Sequence, residues 1–515
     1  MDWSYDNLLA SFSLLFLATI VLLLLNQRKA RHGANRRRPP GPKAWPIFGN
    51  ILDLGSMPHR TLYKLRFKYG PVLWLRLGCA NTLVIQSAKA AEELFKNHDI
   101  TFSDRKVAES WTAHNYYQGS LSLGRYGSYW RFLRRIVTVE LMTSKKINES
   151  TLIRQKCIDK MTEYIEEDVA AANAKGDSGE VVVAHYVFVM AFNLIGNLVL
   201  SKDLLNARSK EGTEFSGAMD EVMEWGGKPN IADFFPFLKG LDPQRVKKNM
   251  KVALGITINI VDKFVKERVE EKKLMKENVK RDFLDALLEY EGDGKGPDKI
   301  STHNMLIIIL EMFLAGTETT SGTTEWAMTE LFRNPESMMK VKEELNQVIG
   351  QKRKVKESDI DKLPYLQAVI KETMRLHPAI PLLIPRNTLQ DTNFMGYEIP
   401  KDTQVFVNAW SIGRDPDAWE DPLSFKPERF IGSNIDYNGQ NFELLPFGSG
   451  RRICVGIPLA HRIVHFALAS LLHCFDWKLD IYSASDTLDM KERMGFTARK
   501  LKPLKAIAKK KTVSE

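Results

Sequence analysis

The stretch "PFGSGRRICVG", residues 446–456, sets one cysteine among three glycines and two arginines. An apolar helical pattern begins just after Cys454, so the thiol lies near the positive end of a helix and its free N–H groups. Both features lower the pKa of a thiol. The stretch therefore predicts a thiolate ready to bind a metal, and the alternative is a surface loop whose cysteine is incidental.

The cysteines of the chain form no CxxC pair and have no regular spacing: they are Cys79, Cys157, Cys454 and Cys474. This pattern argues against a zinc site or a disulfide scaffold and fits a reducing compartment. One thiolate supplies only one of the four protein ligands that a structural zinc site needs. It can instead be the single axial ligand of a haem iron, whose equatorial ligands belong to the porphyrin.

Haem carries two propionates, and arginine is a favoured partner of such carboxylates. Arg452 lies two residues before Cys454, and Trp130 and Arg134 in "WRFLR" are four residues apart on a predicted helix. Each of these elements is ambiguous alone. Together they indicate a haem-thiolate site.

The longest apolar-periodic segment of the body is "HNMLIIILEMFLAGTETTSGTTEWAMTELFRN", residues 303–334. Poor helix formers occupy its centre: Gly316, Thr317, Thr319, Thr320 and Gly322. One interpretation is close packing against a neighbour through small residues. The other is a core helix that opens locally beside a bound group, because threonine hydroxyls can loosen a helix. Glu318 and Thr319 would then place an acid beside a hydroxyl, as a proton relay needs.

Two further motifs carry charged residues. "KETMRLHP" places Glu372 and Arg375 three residues apart on one helix face, and "FKPERF" supplies Arg429 in a loop that contains a proline. A surface salt bridge is the default interpretation of such a pair. The alternative is a buried Arg–Glu–Arg network that organises the surrounding core.

Near the N-terminus, residues 8–25 form an apolar run of 18 residues without charge, which spans about 27 Å as a helix. Asp2 and Asp6 precede the run, and basic residues from Arg28 onward follow it. The positive-inside rule then predicts an uncleaved anchor, with its N-terminus in the lumen and the rest of the chain in the cytoplasm.

The sequence divides into residues 1–27 as lumenal N-terminus and transmembrane anchor, 28–50 as a basic, proline-rich hinge, and 51–515 as one domain. The net charge of +10 is concentrated in residues 28–43 and 499–511, each with seven basic residues and no acid. Because aromatic residues are not interleaved there, contact with a membrane surface is favoured over nucleic-acid binding. A solvated tail is the alternative for the second segment.

Most of the domain is predicted to be helical, so the expected fold class is mainly α with a small β region. The predicted helices are 88–97, 129–141, 252–276, 303–332, 335–349, 365–376 and 457–475. The predicted strands are 72–77, 82–85 and the segments within 392–408 on either side of a Pro-Lys-Asp turn.

"FGSGRRICVG" resembles the haem-binding signature of the cytochrome P450 monooxygenases, with matches at Phe447, Gly450, Arg452, Cys454 and Gly456. The order of motifs is also that of the family: a proline-rich hinge, "WRFLR", "AGTETT", "KETMR", "FKPERF" and the cysteine loop. The resemblance covers about the whole chain. Within the family, "RKLKPLKAIAKK" and "AGTETTSGTTEWAMTELFRNP" are similar to plant microsomal enzymes of specialised metabolism, in the group of geraniol and iridoid hydroxylases.

The resemblance implies the cytochrome P450 fold, with an N-terminal transmembrane helix and a long central helix over haem b. It makes residues 51–515 a haem-thiolate monooxygenase domain and Cys454 the axial ligand of the haem iron. Thr319, with Glu318, would deliver protons as the catalytic pair. The residues implied in cofactor binding are Trp130, Arg134, Arg386, Phe447, Arg452 and Cys454. Those implied as structural are Glu372, Arg375 and Arg429.

By the same resemblance, residues 103–124, 308–320, 380–385 and 494–497 form the substrate pocket. Its expected lining is almost wholly apolar: Phe313, Leu314, Ala315, Ile380, Leu382, Leu383, Ile384 and Phe496. Such a lining suits a hydrophobic substrate of terpenoid or phenylpropanoid size. The sequence departs from the family at Ile457 and His461, where small or acidic residues are more frequent.

The implied activity is insertion of one atom of O2 into a small lipophilic plant metabolite, with a terpenoid or iridoid favoured. The implied location is the endoplasmic reticulum membrane, with one membrane span and a cytoplasmic catalytic domain. NADPH would supply electrons through NADPH–cytochrome P450 reductase, and cytochrome b5 is a second candidate partner. Basic residues that would suit an acidic partner are Arg131, Arg135, Lys426 and Arg451.

Three alternatives stay open at this point. The same chemistry could act on a phenolic, alkaloid or fatty-acid substrate. A haem-thiolate lyase or isomerase would need neither O2 nor a reductase, and the intact Glu318–Thr319 pair argues against it. A non-catalytic haem sensor is disfavoured by the apolar pocket and the same pair. No nucleic-acid partner is expected.

Overall fold

The computed structural model describes residues 37–205, 210–274, 281–292, 299–479 and 488–511. The predicted anchor, residues 1–27, and the start of the hinge, residues 28–36, lie outside these described residues. Within the described ranges the chain is mainly helical and has small β-sheets, which confirms the fold class expected from the sequence.

The α-helices are numbered here in chain order. Those of the first half are α1 Ile51–Leu54, α2 Pro58–Tyr69, α3 Ala88–Glu92, α4 Tyr116–Gly119, α5 Ser128–Val137, α6 Ser144–Glu149, α7 Thr151–Ala174, α8 Val183–Leu200, α9 Lys210–Gly227, α10 Ile231–Phe234 and α11 Val246–Leu274. Those of the second half are α12 Phe283–Leu288, α13 Thr302–Arg333, α14 Pro335–Ile349, α15 Pro364–Leu376, α16 Ala409–Ile412 and α17 Ile457–Cys474.

Shorter helical turns and the strands connect these helices. Single π turns extend α3 and α5 at Glu93–Asn97 and Thr138–Met142. The 3-10 turns are Glu109–Asn115, Pro236–Leu238, Glu357–Lys362, Pro427–Phe430 and Gly450–Arg452. The strands are β1 Val72–Leu77, β2 Ala80–Ile85, β3 Asp104–Arg105, β4 Glu180–Val182, β5 Arg386–Asn387, β6 Thr392–Phe394, β7 Tyr397–Ile399, β8 Gln404–Val407, β9 Phe475–Lys478, β10 Glu492–Met494, β11 Ala498–Lys500 and β12 Lys505–Lys510.

The predicted helices agree with those observed to within one residue at either end, once the π turns after α3 and α5 are included. The exception is α11, which begins at residue 246 rather than at the predicted 252 and is described as far as residue 274, so the predicted end at 276 lies outside the described residues. The periodic apolar pattern identifies these helices because each buries one stripe of side chains. The helix α13 is the longest, and local signals mark its ends: Ser301 caps its first turn, and Pro335 follows its end.

The largest sheet has the strand order β1-β2-β8-β5-β3, in which β2 and β8 are parallel and the other neighbours antiparallel. The described part of the hinge lies against this sheet. The N–H of Trp74 in β1 donates to the carbonyl of Pro40 (2.9 Å), and the guanidinium of Arg38 lies 4.8 Å from the Trp74 ring centre. A Cβ atom on Gly41 would come within 1.9 Å of the Trp74 carbonyl oxygen, so only glycine allows this approach.

The helix α13 occupies the centre of the core and packs against α4, α8, α11, α15 and α17. By length and composition α8, α13 and α17 are apolar enough to cross a membrane, yet most of each apolar stretch is buried inside the protein. Their hydrophobic side chains therefore contribute to packing of the core.

The buried Arg–Glu–Arg network is present, so the surface alternative for "KETMR" is wrong. The Glu372 carboxylate is fully buried and accepts from Arg375 at 2.6 and 2.7 Å and from Arg429 at 3.0 Å. Arg375 also donates to the carbonyls of Gly413 and Pro422. The network thus fastens α15 to the irregular segment that leads to the cysteine loop.

Replacing Glu372 with Gln removes the negative charge that two buried guanidinium groups share. We expect the free energy of unfolding, measured by urea denaturation, to fall by about 3 to 5 kcal/mol. As a control, Glu92→Gln disrupts an exposed i,i+4 pair with Lys96 and should cost less than about 1 kcal/mol. An equal decrease in the free energy of unfolding in the two variants would contradict a stabilising role for the network.

Candidate active site

One internal cavity collects most of the residues singled out by the sequence. It lies between α13, the loop before α17 and the segment from β3 to α5. The predicted cofactor and catalytic residues that line it are Trp130, Arg134, Thr319, Arg386, Phe447, Arg452 and Cys454. Glu318 does not line it. The structure therefore brings residues from distant parts of the chain to one place.

The cysteine loop folds back on itself before α17 begins. Gly448 and Gly450 have left-handed φ angles of +69° and +68°, and the N–H of Cys454 donates to the carbonyl of Phe447 at 3.0 Å. A Cβ atom on Gly450 would also lie 2.3 Å from a carboxylate oxygen of Asp99. Glycine is required at these turns, and the result is a thiol that faces the cavity.

The pKa of the Cys454 thiol differs from the sequence-based expectation. Burial raises this pKa, while the backbone N–H of Gly456 and the charge of Arg134 lower it. The sequence-based expectation of a lowered pKa for the Cys454 thiol is wrong, because the effect of burial is larger than that of the nearby N–H group and of Arg134. Coordination of a metal ion removes the proton from a thiol despite such a shift.

Three guanidinium groups are buried around the cavity: those of Arg105, Arg386 and Arg452. Burial lowers the pKa of Arg386 to about 10, and burial with the nearby charge of Arg386 lowers that of Arg452 to about 9. The pKa of Arg105 is lowered by burial and by the other two arginines. Such a cluster of like charges favours an anionic partner, and the two carboxylates of a haem fit that requirement.

Backbone carbonyls hold these guanidinium groups in place. Arg452 donates to the carbonyls of Ser103 (2.8 Å) and Gly124 (2.7 Å), and its guanidinium lies 4.0 Å from the centre of the Trp130 ring. Arg386 donates to the carbonyl of Ser449 at 2.9 Å. The arginines are thereby fixed before any ligand binds.

Trp130 and Arg134 lie on α5 and face the same cavity. Arg134 donates to the carbonyl of Ile453 at 2.8 Å, next to the cysteine. The indole N–H of Trp130 donates to the carbonyl of Leu121 at 2.8 Å. Trp130 therefore contacts Arg452 through its ring in this structure, while its N–H supports the adjacent loop. Binding of propionates by these residues stays a prediction.

The helix α13 is continuous through its glycine and threonine centre, so the predicted local opening is not observed. The Thr319 hydroxyl donates to the carbonyl of Ala315 at 2.6 Å, and Thr317, Thr320 and Thr323 make the same bond one turn back. These bonds add to the backbone ladder without replacing it. Ala315 and Thr319 have solvent-accessible surface because they face the cavity.

Glu318 is turned away from the cavity, toward β11. Its carboxylate accepts from the Thr497 hydroxyl (2.6 Å) and pairs with Arg499 (2.5 Å). Burial raises the pKa of Glu318, against the opposing effects of Arg499 and Thr497. The hydroxyl of the predicted relay thus lines the cavity, whereas its acid does not and is bound by Thr497, which does.

The expected pocket lining is largely correct, with two exceptions. Leu314, Ala315, Ile380, Leu383, Ile384 and Phe496 line the cavity. Phe313 instead packs between the rings of Phe192 (5.0 Å) and Phe215 (5.3 Å). Leu382 packs in a separate apolar cluster beside β1. Both side chains point away from the cavity because they lie on other faces of their segments.

Arg105 and Glu311 both line the cavity. They fall within the expected pocket segments 103–124 and 308–320, but sequence reasoning gave neither residue a role of its own. Arg105 donates to the carbonyls of Ser122 (2.8 Å) and Ile384 (2.6 Å). Glu311 is the one acid within the apolar first half of α13, and a buried acid there is a signal that could have identified it. The two-residue strand that carries Arg105 gives no comparable pattern.

The unusual His461 after the cysteine has a structural partner. Its ring nitrogen is hydrogen-bonded to the Tyr437 hydroxyl at 2.6 Å, and the Tyr437 ring lies 5.3 Å from that of Phe447. His461 therefore supports the ring that packs behind the cysteine loop. Ile457 is the first residue of α17.

Comparisons with known proteins agree with this arrangement. The cytochrome P450 family matches residues 39–505. The chain is 55% identical over 495 residues to an iridoid oxidase from Catharanthus roseus, covering 96% of each protein. It is 42% identical over 470 residues to a geraniol 8-hydroxylase from the same plant, covering 91% of this chain and 93% of that protein.

Among solved structures, a zebrafish cytochrome P450 with progesterone matches with a TM-score of 0.74 and 27% identity, covering 88% of this chain and 99% of that one. The matched family implies a haem-thiolate site, and a cysteine that faces a cavity with buried arginines fits that cofactor. The chain therefore belongs to the cytochrome P450 family of monooxygenases and is similar to plant iridoid oxidase and geraniol 8-hydroxylase.

Proposed function

We propose that this chain hydroxylates a small terpenoid or iridoid with O2 and electrons from NADPH. The observation that carries this proposal is the apolar cavity, with the thiol of Cys454 on one wall and the hydroxyl of Thr319 on another. The names of the relatives, iridoid oxidase and geraniol 8-hydroxylase, favour terpenoid substrates over phenolics, alkaloids or fatty acids.

Haem b is the proposed cofactor, with Cys454 as the axial ligand of its iron. Haem with a thiolate ligand supplies the activation of O2, because the thiolate donates electron density that favours cleavage of the O–O bond. The chain would hold the two carboxylates of haem through Arg105, Arg134, Arg386 and Arg452. Their guanidinium groups are already fixed by backbone carbonyls.

Thr319 and Glu318 are proposed to supply protons. The Thr319 hydroxyl can exchange its bond to the Ala315 carbonyl for a bond toward the cavity. Burial raises the pKa of Glu318, and its carboxylate is held by Thr497 and Arg499. Release of these contacts would let the carboxyl turn toward Thr319 and pass a proton to it.

The apolar walls serve orientation and exclusion of water. Leu314, Ile380, Leu383 and Phe496 line the same cavity as Thr319, and their side chains offer no hydrogen bonds to a substrate. A hydrocarbon skeleton would therefore be held by shape and by burial of its surface. Excluding water also keeps protons on the path through Thr319.

We further propose an endoplasmic reticulum location, with residues 1–27 as a single membrane span and the catalytic domain in the cytoplasm. NADPH–cytochrome P450 reductase is the proposed electron donor, and cytochrome b5 a second partner. Arg131 is exposed on α5 and would suit an acidic partner. Lys426 and Arg451 already pair with Asp421 (2.7 Å) and Asp99 (3.2 Å), so docking there would exchange one carboxylate for another.

Replacing Cys454 with Ala tests the proposed iron ligand. We expect loss of the CO-difference band of the reduced protein, because the thiolate that produces it is removed. Cys474→Ala is the matched control: that cysteine ends α17 and does not line the cavity, so its band should be unchanged. An unaltered band in the Cys454 variant would contradict the haem-thiolate assignment.

Replacing Thr319 with Ala tests the proton path. We expect haem content to be retained and the product formed per NADPH to fall by at least about tenfold, with electrons diverted to peroxide. Thr323→Ala is the control, since Thr323 also lines the cavity and donates to a carbonyl one turn back (2.8 Å). Equal coupling in the wild-type and Thr319 proteins would exclude Thr319 from proton delivery.

Incubation of the membrane-bound protein with a reductase tests the substrate class. The panel contains geraniol, an iridoid alcohol, a phenolic and a fatty acid, with NADPH and isotopically labelled O2. We expect one labelled oxygen atom in a terpenoid or iridoid product, measured by mass spectrometry. Turnover of the phenolic or fatty acid alone would contradict the substrate class, and conversion without O2 would favour the lyase or isomerase alternative.

A further inference from the structure

A hydrogen bond joins the segment before the cysteine loop to the helix after it. Tyr437 precedes the loop and its side chain is 3% exposed, and His461 lies in the second turn of α17. The Tyr437 hydroxyl is 2.6 Å from Nδ1 of His461. Because Cys454 lies between these two residues in the chain, their hydrogen bond closes the stretch of chain that carries the cysteine.

The direction of this hydrogen bond follows from the burial of both groups. Burial raises the pKa of the Tyr437 hydroxyl, and the charge of Asp436 adds to this effect. Burial lowers the pKa of His461, and the charge of Arg462 lowers it further. At neutral pH the phenol therefore keeps its proton and the imidazole is uncharged, so the hydroxyl donates and Nδ1 accepts.

Tyr437 in turn contacts Phe447, the residue of the loop that is bonded to the cysteine. The two ring centres are 5.3 Å apart. Phe447 lines the same cavity as Cys454, and its carbonyl accepts from the Cys454 N–H at 3.0 Å. A displacement of Tyr437 would therefore reach the backbone of the cysteine through one intervening residue.

The segment that carries Tyr437 contacts the loop at a second place. The Ser449 hydroxyl donates to the carbonyl of Gly439 at 2.6 Å. Gly439 has a left-handed φ of +82°, and a Cβ atom on it would lie 2.5 Å from the side chain of Ile453. Residues 437–439 are therefore packed directly on the cysteine loop, and Tyr437 fixes one end of this contact.

A second histidine packs against His461 and limits its movement. His465 is fully buried, its ring centre is 4.5 Å from that of His461, and its Nδ1 is 2.5 Å from the His461 carbonyl oxygen. Burial lowers the pKa of His465 to about 3. Since both imidazoles are uncharged at neutral pH, they affect the loop through position and not through charge.

Reduction of a haem bound at Cys454 adds a negative charge beside this loop. An environment without water disfavours that charge, and access of water or of N–H groups to the sulfur favours it. We propose that the hydrogen bond between Tyr437 and His461 holds Phe447 against the cysteine loop and thereby keeps the reduction potential of the haem low. Tyr437 and His461 are positioning residues, and the inference rests on the proposed haem-thiolate site.

The test measures the reduction potential and the free energy of unfolding of the haem-loaded, full-length protein. Tyr437→Phe removes the hydroxyl and keeps the ring that contacts Phe447. We expect the equilibrium constant for reduction to rise at least about threefold, a shift of about 28 mV, because tenfold corresponds to about 59 mV for one electron. Tyr186→Phe is the matched control, since that buried hydroxyl donates to Asp168 at 2.7 Å and its residue does not line the cavity.

Both phenylalanine variants lose one buried hydrogen bond, so both should be destabilised to a similar extent. Only Tyr437→Phe should change the potential. An unchanged potential in Tyr437→Phe, or an equal change in Tyr186→Phe, would overturn the proposal.

Variants of His461 test whether the two residues act through the same hydrogen bond. His461→Leu removes the acceptor and should raise the potential as much as Tyr437→Phe does. The double variant should show no further rise, because both changes remove one shared interaction. His461→Asn places an acceptor oxygen near the position of Nδ1 and should restore the wild-type potential.

Two outcomes separate this inference from the proposed function. Additive shifts in the double variant, or a raised potential in His461→Asn, would overturn the role of the hydrogen bond and leave the haem-thiolate site intact. Absence of the CO-difference band in the reduced wild-type protein would contradict the haem-thiolate site itself. Where His461→Leu does not fold, Tyr437→Phe and His461→Asn decide the proposal.

Discussion

Burial of positive charge around the cavity is the constraint on which the rest of the site depends. Arg105, Arg386 and Arg452 are removed from water, and each donates to backbone carbonyls, while Arg386 also lies 3.7 Å from the Asp99 carboxylate. Those carbonyls belong to four separate stretches of chain, at residues 102–103, 121–124, 384–385 and 449. The arginines therefore join these stretches, and the cavity keeps its shape because a displaced carbonyl would remove one of the few partners of a buried cation.

The helix α13 divides three tasks among residues that lie close together in sequence. Glu311 fastens the loop at residues 120–122, Thr319 faces the cavity, and the Glu318 carboxylate is held by Thr497 and Arg499. Because successive residues of a helix point about 100° apart, neighbours such as Glu318 and Thr319 face different surroundings. A single rigid helix can therefore hold the loop, the reacting face and the acid in fixed relation.

The sequence was sufficient for the long helices, because their apolar stripes repeat over many turns, and for the cavity residues that belong to recognisable motifs. It placed Arg105 in the pocket segment 103–124 but did not single this residue out, since a strand of two residues has no periodicity. It also misplaced Phe313 and Leu382, because an apolar residue in a dense apolar run does not reveal which neighbour it meets. The direction of the Cys454 pKa shift was wrong because burial, a property of the folded chain, outweighs the local N–H groups.

The hairpin of β10 and β11 belongs to two parts of the mechanism at once. Its turn contributes Phe496 to the wall of the cavity, while Thr497 and Arg499 hold the carboxylate of Glu318. A substrate too large for the cavity would push Phe496 outward and would move Thr497 and Arg499, which hold Glu318, with it. In the proposed mechanism, the fit of a substrate is therefore mechanically linked to the share of electrons from NADPH that ends in product.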